Sequence, residues 1–234
     1  MADDRSVWRE YAEALLIAAI FLRFTNVFVV QTFYIPSGSM EKTLLVGDHL
    51  FVNRFIYGPA ATDLERKLLP LRSVNRGDIV VFRSKEAHEI ENTVDVVKRC
   101  LAVGGDTLAV ADNVVSINGK VVDDHLYANY ELPDHGGAEN PRLDEASNFG
   151  PLEVDPDHYF CMGDHRNNSW DSRFWGTLPS QLVKGRALFI YWSYGGKTSD
   201  GVWHSWGQKV RELLETLVTF PTKTRWERTF RLVR

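Results

Sequence analysis

Two serines flank a glycine in Pro36-Ser37-Gly38-Ser39-Met40, directly after an apolar stretch. Gly38 opens backbone conformations that side chains forbid, so Ser39 can be displayed at a sharp bend beside free backbone N–H groups. An exposed hydroxyl next to donors aimed at a developing oxyanion is what acyl transfer needs. A Ser-Gly-Ser turn is commonly just a turn, so the reading depends on a base. The seven histidines, His49, His88, His125, His135, His158, His165 and His204, all lie in polar, loop-like surroundings. A Ser/His/Asp triad stays open, but none of them has a recognisable context for one. Lys98 differs, because it lies inside the strand-like run 93–99, where Val97 and its neighbours can exclude water. Desolvation lowers a lysine pKa. Bringing it from about 10.4 into the range of about 7–8 that suits a base costs roughly 4 kcal/mol. The alternative is a solvated lysine on a strand edge.

A third constellation runs from Gly163 to Gly176: Gly-Asp-His-Arg-Asn-Asn-Ser-Trp-Asp-Ser-Arg-Phe-Trp-Gly. So many donors and acceptors beside two tryptophans suggest a hydrogen-bonded corner under aromatic cover. Asp171 and Arg173 can pair and fix Ser169, whose hydroxyl can hold a lysine amine. Cys100, Cys161 and His165 fit no zinc-site spacing, and neither metal nor cofactor is expected.

These groups need elements to hold them. After Ile35 short β-branched runs recur at 49–53, 78–82, 93–99, 107–110, 114–117 and 186–192, bounded by Gly, Pro, Asn or Asp. Asn118-Gly119, ahead of 120–122, signals a hairpin with φ > 0 at both turn residues. The pattern predicts a mostly β, antiparallel catalytic domain, not an alternating β/α one. Residues 60–71 read as a short helix or a loop, and 130–157 as a surface excursion. Val210, Leu213, Leu214 and Leu217 have helical spacing over 208–219, with Pro221 as the stop.

The N-terminal run 14–30 is apolar apart from Arg23, Thr25 and Asn26. A bilayer crossing takes about 20 mostly apolar residues, and the expectation is one transmembrane helix over 12–32 behind a tail at 1–11. A signal peptide, a buried helix and an interfacial helix are the competing readings. The 234 residues carry a net charge of −4, which exerts no global pull on nucleic acid. Two cysteines are too few for a disulfide scaffold; they read as buried thiols, with one pairing left open.

Taken together, the blocks resemble type I signal peptidases, the serine–lysine proteases that remove signal peptides from exported bacterial preproteins. Residues 35–44 resemble the family's nucleophile box, 76–82 its RGD-type strand, 95–106 its lysine box, 163–176 its most distinctive box, and 185–187 the strand that follows. The resemblance implies Ser39 as nucleophile and Lys98 as general base. It implies an oxyanion hole from the Ser37 hydroxyl and the Ser39 N–H, with Ser169, Asp171 and Arg173 supporting the lysine. Phe33, Ile35, Pro36, Met40, Leu44, Val96 and Val97 match positions lining two shallow apolar pockets for small-x-small cleavage sites. It further implies a catalytic domain over 33–106 and 158–234 with an inserted β lobe at 107–157. The expected location is the bacterial inner membrane, single-pass, with the catalytic domain on the outer side; the partners are signal peptides and membrane lipid. Lys42 departs from the family, which usually has Pro there. Residues 196–223 match nothing in the core pattern and read as a helix resting on the membrane, whereas 225–228 resemble the family's usual chain end. Other serine–lysine proteases, an inactive binding module and a peptidase for one dedicated substrate are the rival readings.

Overall fold

The computed structural model describes residues 7–24, 30–57, 71–85, 93–131, 147–196 and 206–233. The expected segment at 60–71 lies almost wholly outside them. Twelve strands and three α-helices are described, with 3₁₀ turns between them.

The main sheet is antiparallel and ordered β1 (Val30–Tyr34), β2 (Asp48–Asn53), β11 (Val183–Ser193), β3 (Ile79–Lys85), β4 (Thr93–Val103), β9 (His158–Met162), β10 (Leu178–Pro179), with β12 (Arg231–Leu232) also paired to β11. A second, four-stranded sheet is ordered β7 (Lys120–Val121), β6 (Val114–Ile117), β5 (Thr107–Ala111), β8 (Phe149–Glu153). Its hairpin turns at Asn118 (φ 53) and Gly119 (φ 75), the left-handed pair that the Asn-Gly dipeptide predicts. Strand β8 falls inside the stretch expected to be a surface excursion. Its Phe149 and Leu152 pack on the core around Leu108 and Phe160, so two apolar side chains among Gly and Pro suffice to seat an edge strand.

Alternation places Leu50 and Val52 of β2 in the core with Ile35, Met40, Leu44, Val81 and Ile190, while His49 and Phe51 face outward. A separate cluster of Val80, Phe82, Cys100 and Cys161 fills the other face of β3 and β4. Cys100 and Cys161 are register partners across β4 and β9, both free and fully buried.

The N-terminal expectation needs correction. Helix α1 (Val7–Phe24) ends well before residue 32, and Val30–Tyr34 is a strand paired in register with β2. Four charged residues, Arg9, Glu10, Glu13 and Arg23, lie within α1 and confine its uninterrupted apolar run to 14–22. At about 1.5 Å per residue, that run is under half of a hydrocarbon core of about 30 Å. Among the described residues no helix is long and apolar enough to cross a membrane. The side chains of Leu15, Leu16, Ile17, Ile20, Phe21 and Leu22 are nevertheless all exposed.

The helix expected over 208–219 is longer: α3 spans Trp206–Lys223, with the four-residue α2 (Ser172–Trp175) before it. Pro221 does not stop α3 but sits in its last turn, where the one missing N–H costs little because Thr224 N still donates to Phe220 O (3.1 Å).

Candidate active site

Ser39 stands in a 3₁₀ turn, Gly38–Met40, just after β1. The turn is pinned from both ends. Ile35 exchanges backbone bonds with Asp48 and Gly47, and Leu44 N donates to Met40 O (2.8 Å). Met40 and Leu44 are buried below, so the chain between them is forced to the surface with Ser39 half-buried and Ser37 exposed. Ser37 is extended, and its side chain makes no capping bond to the turn.

Lys98 lies in β4 between β3 and β9, opposite Val80 in register. It is 3% exposed, and its Nζ donates to Ser169 Oγ at 3.0 Å. Burial pushes its pKa down from 10.5 to about 8; the Asp171 carboxylate holds it up and the Arg173 guanidinium lowers it further.

The 163–176 segment does form a corner. Asp171 is fully buried and caps α2 by accepting from Arg173 N (3.2 Å). It also accepts from Arg173 Nε and Nη2, both at 2.9 Å, and from Gly163 N at 3.0 Å. Burial alone would raise this carboxyl, but the Arg173 bonds, Lys98 and the Gly163 N–H carry it below the ordinary range. Gly163 is the pinch point: a Cβ there would meet Ser169 Oγ at 2.2 Å and Ser39 O at 2.5 Å. Two residues along, His165 N donates to Ser39 O (3.1 Å), which ties the corner to the serine turn.

Ser37, Ser39 and Lys98 line one cavity of about 390 Å³, together with Phe33, Ile35, Pro36, Met40, Val96 and Val97. Leu44, expected among these, is instead fully buried in the core beneath. Ser169, Asp171 and Arg173 stand behind the lysine rather than in the wall. The wall includes the two tryptophans expected to cover the corner, Trp170 and Trp175, and also Tyr34, Asp95 and Asn168, to which sequence reasoning gave no role in the site. Two larger cavities, about 460 and 580 Å³, lie on the second sheet, and no serine lines either. Among the described residues no three His, Cys, Asp or Glu side chains converge as metal ligands would.

Further support also escaped the sequence. Arg99, next to Lys98, makes a buried pair with Asp164 (Nη2–Oδ2 2.7 Å), and Thr43 Oγ1 donates to the same carboxylate at 2.6 Å. Lys42 adopts φ 90, which no proline can reach, so the chain here cannot take the backbone of a family member with Pro. Its Nζ donates to His125 O (2.6 Å) and Ala128 O (2.9 Å), strapping the serine turn to the segment after β7.

A β-rich frame with a serine turn, a buried lysine and a solvent-open groove is the build of a peptidase. The family model for signal peptidase, peptidase S26, matches residues 8–192. A probable signal peptidase I-2 of Synechocystis sp. is 32% identical over 192 residues, covering 82% of this chain and 76% of its own length. Signal peptidase I of Pseudomonas aeruginosa is 31% identical over 212 residues, covering 79% of this chain and 72% of its own. A crystal structure of a signal peptidase I from Enterococcus faecalis aligns at 25% identity with a TM-score of 0.36, covering 49% of this chain and 97% of that one. The chain belongs to the signal peptidase family, peptidase S26, as a type I signal peptidase. It is accordingly a peptidase directed at signal peptides.

Proposed function

We propose that Ser39 and Lys98 form the catalytic dyad, cutting preproteins after small-x-small sites. The observation that carries this is the Lys98 amine: fully buried, held by Ser169, brought down to about 8, and lining the same cavity as Ser39. In its neutral form it takes the Ser39 proton as the hydroxyl oxygen attacks the scissile carbonyl. The Ser37 hydroxyl and the Ser39 N–H then stabilise the oxyanion. The Lys98 ammonium protonates the leaving amine, and a water activated by the neutral lysine hydrolyses the acyl-enzyme. Phe33, Ile35, Pro36, Met40, Val96 and Val97 supply apolar walls for the small residues of such sites.

The membrane part of the reading rests on α1, whose exposed apolar residues need a nonaqueous partner. The protein would work at the outer face of the bacterial cytoplasmic membrane, where signal peptides emerge. The test is cleavage of a preprotein with an Ala-x-Ala site in detergent. Wild type should cut, and Ser39→Ala and Lys98→Ala should not. Robust cleavage by Lys98→Ala, or activity lost instead on replacing one histidine, would sink the dyad.

A further inference from the structure

Helix α3 lies beyond the residues that match the family, and it is turned the wrong way round for a helix packed on a protein core. Among its described residues, polar contacts and contacts at its end join it to the body. The Thr219 hydroxyl bonds Tyr194 Oη (2.7 Å), and the Phe220 ring lies 5.7 Å from Trp192. Thr216 and Thr219 are half-buried, whereas Leu214, Leu217 and Val218 are 56%, 62% and 78% exposed. A helix stabilised by packing buries its apolar residues and exposes its threonines; the described residues from Leu214 to Thr219 do the opposite. The chain that follows continues the pattern, with Trp226 56%, Phe230 76% and Leu232 60% exposed.

Charge says what covers this face. Residues 206–234 carry seven Lys and Arg against three Glu, a net of +4, or +3 with Arg228 set aside because it is buried against Asp48, although the whole chain is at −4. Positive charge is thus gathered on the C-terminal part of an otherwise acidic protein. Apolar and aromatic side chains flanked by arginines are what binds the headgroup–acyl boundary of an anionic bilayer. Tryptophan favours that boundary because its ring is apolar and its N–H stays hydrated.

We infer that α3 and the segment through Leu232 form a second membrane contact, lying in the interface plane of an anionic bilayer and setting the height of the catalytic cavity above it. This rests on the membrane-associated reading above. The link to the cavity is direct: Arg228 Nη2 donates to Thr43 O (3.0 Å) and pairs with Asp48, and Arg225 Nη2 donates to Val46 O (2.5 Å). The segment that touches lipid therefore also grips the turn following Ser39.

The test uses the full chain, labelled with an environment-sensitive fluorophore at Leu217→Cys or, as control, at Lys120→Cys on the second sheet; Cys100 and Cys161 are buried. Each is added to vesicles of phosphatidylglycerol and phosphatidylethanolamine containing bromine-labelled acyl chains. Quenching at 217 and none at 120 is expected. No quenching at 217, or equal quenching at both, overturns the inference. So does an emission shift at 217 that needs no lipid and grows with protein concentration, which would mean that a second copy covers the face. A companion variant, Leu217→Glu with Val218→Glu, should keep cleavage of a short soluble peptide within about twofold and lose on the order of tenfold on a vesicle-inserted preprotein. Equal losses on both substrates overturn the inference. Wild type that fails on the soluble peptide would strike the peptidase reading instead.

Discussion

Replacing Lys98 with methionine should abolish activity and make the protein more stable. The side chain is 3% exposed, and its pKa falls from 10.5 to about 8 on folding. That difference corresponds to about 3 kcal/mol at about 1.36 kcal/mol per pKa unit. Methionine keeps an unbranched chain and removes the charge. It also removes the bond to Ser169 Oγ, for which about 1–1.5 kcal/mol is subtracted. The net gain near pH 7 is about 2 kcal/mol, or a Tm rise of about 4–8 °C for a chain of this length. The sign follows from proton counting. Between about 8 and 10.5 the unfolded lysine holds a proton that the folded one has released, so wild-type stability climbs with pH across that window. The advantage of Lys98→Met should shrink through the same window and reverse slightly above it. Calorimetric melts of both proteins in one mild detergent, at pH steps from 7 to about 10.5, measure this directly. A variant no more stable at pH 7, or a gap that ignores pH, would refute the desolvated lysine and with it the route to a neutral base.

The remaining expectations are narrower. For the wild type, log kcat/KM should rise with a slope of about one below pH 8 and level off above it, since only the neutral Lys98 accepts the Ser39 proton; a midpoint near that of free lysine counts against the dyad. Asp171→Asn breaks a buried pair and should cost about 3–5 kcal/mol in denaturant titration. It should also move the pH–rate midpoint further down, because Asp171 is what holds the lysine pKa up. Gly163→Ala drives a methyl into Ser169 Oγ and Ser39 O and should eliminate turnover with about 1–3 kcal/mol of stability lost. Lys42→Pro, despite restoring the residue usual in the family, should lower stability by about 2 kcal/mol or more, because φ 90 is closed to proline; an unchanged melt would mean that the turn has another conformation.

The residues proposed to carry the chemistry stood out in the sequence as a set. A glycine-flanked serine, a lysine among valines and a polar corner under tryptophans each have an ordinary reading alone, and it was their order along the chain that pointed to one site. Strands β2, β3, β5, β6 and β11 were legible from β-branched alternation, and the β6–β7 turn from Asn118-Gly119. The end of the N-terminal helix was not. Val30–Tyr34 follows the apolar helix within a few residues and ends in Phe33 and Tyr34, and pairing with β2 makes it a strand. Nor was Leu44 separable from Met40. Both are apolar, close in the chain and buried in one core cluster, yet only Met40 also reaches the cavity wall.

For the lysine, the sequence by itself determined that an amine would stand on a strand near valines. Whether that amine would be neutral was decided by the tertiary structure. Desolvation depends on what excludes water, and here the excluders are β3, β9 and a corner 71 residues further on, where Ser169 takes the amine. The Ser39 turn depends in the same way on Asp48 meeting Arg228 across 180 residues of chain. Local sequence fixes conformations within a turn or a strand, but a pKa belongs to the whole enclosure around a group.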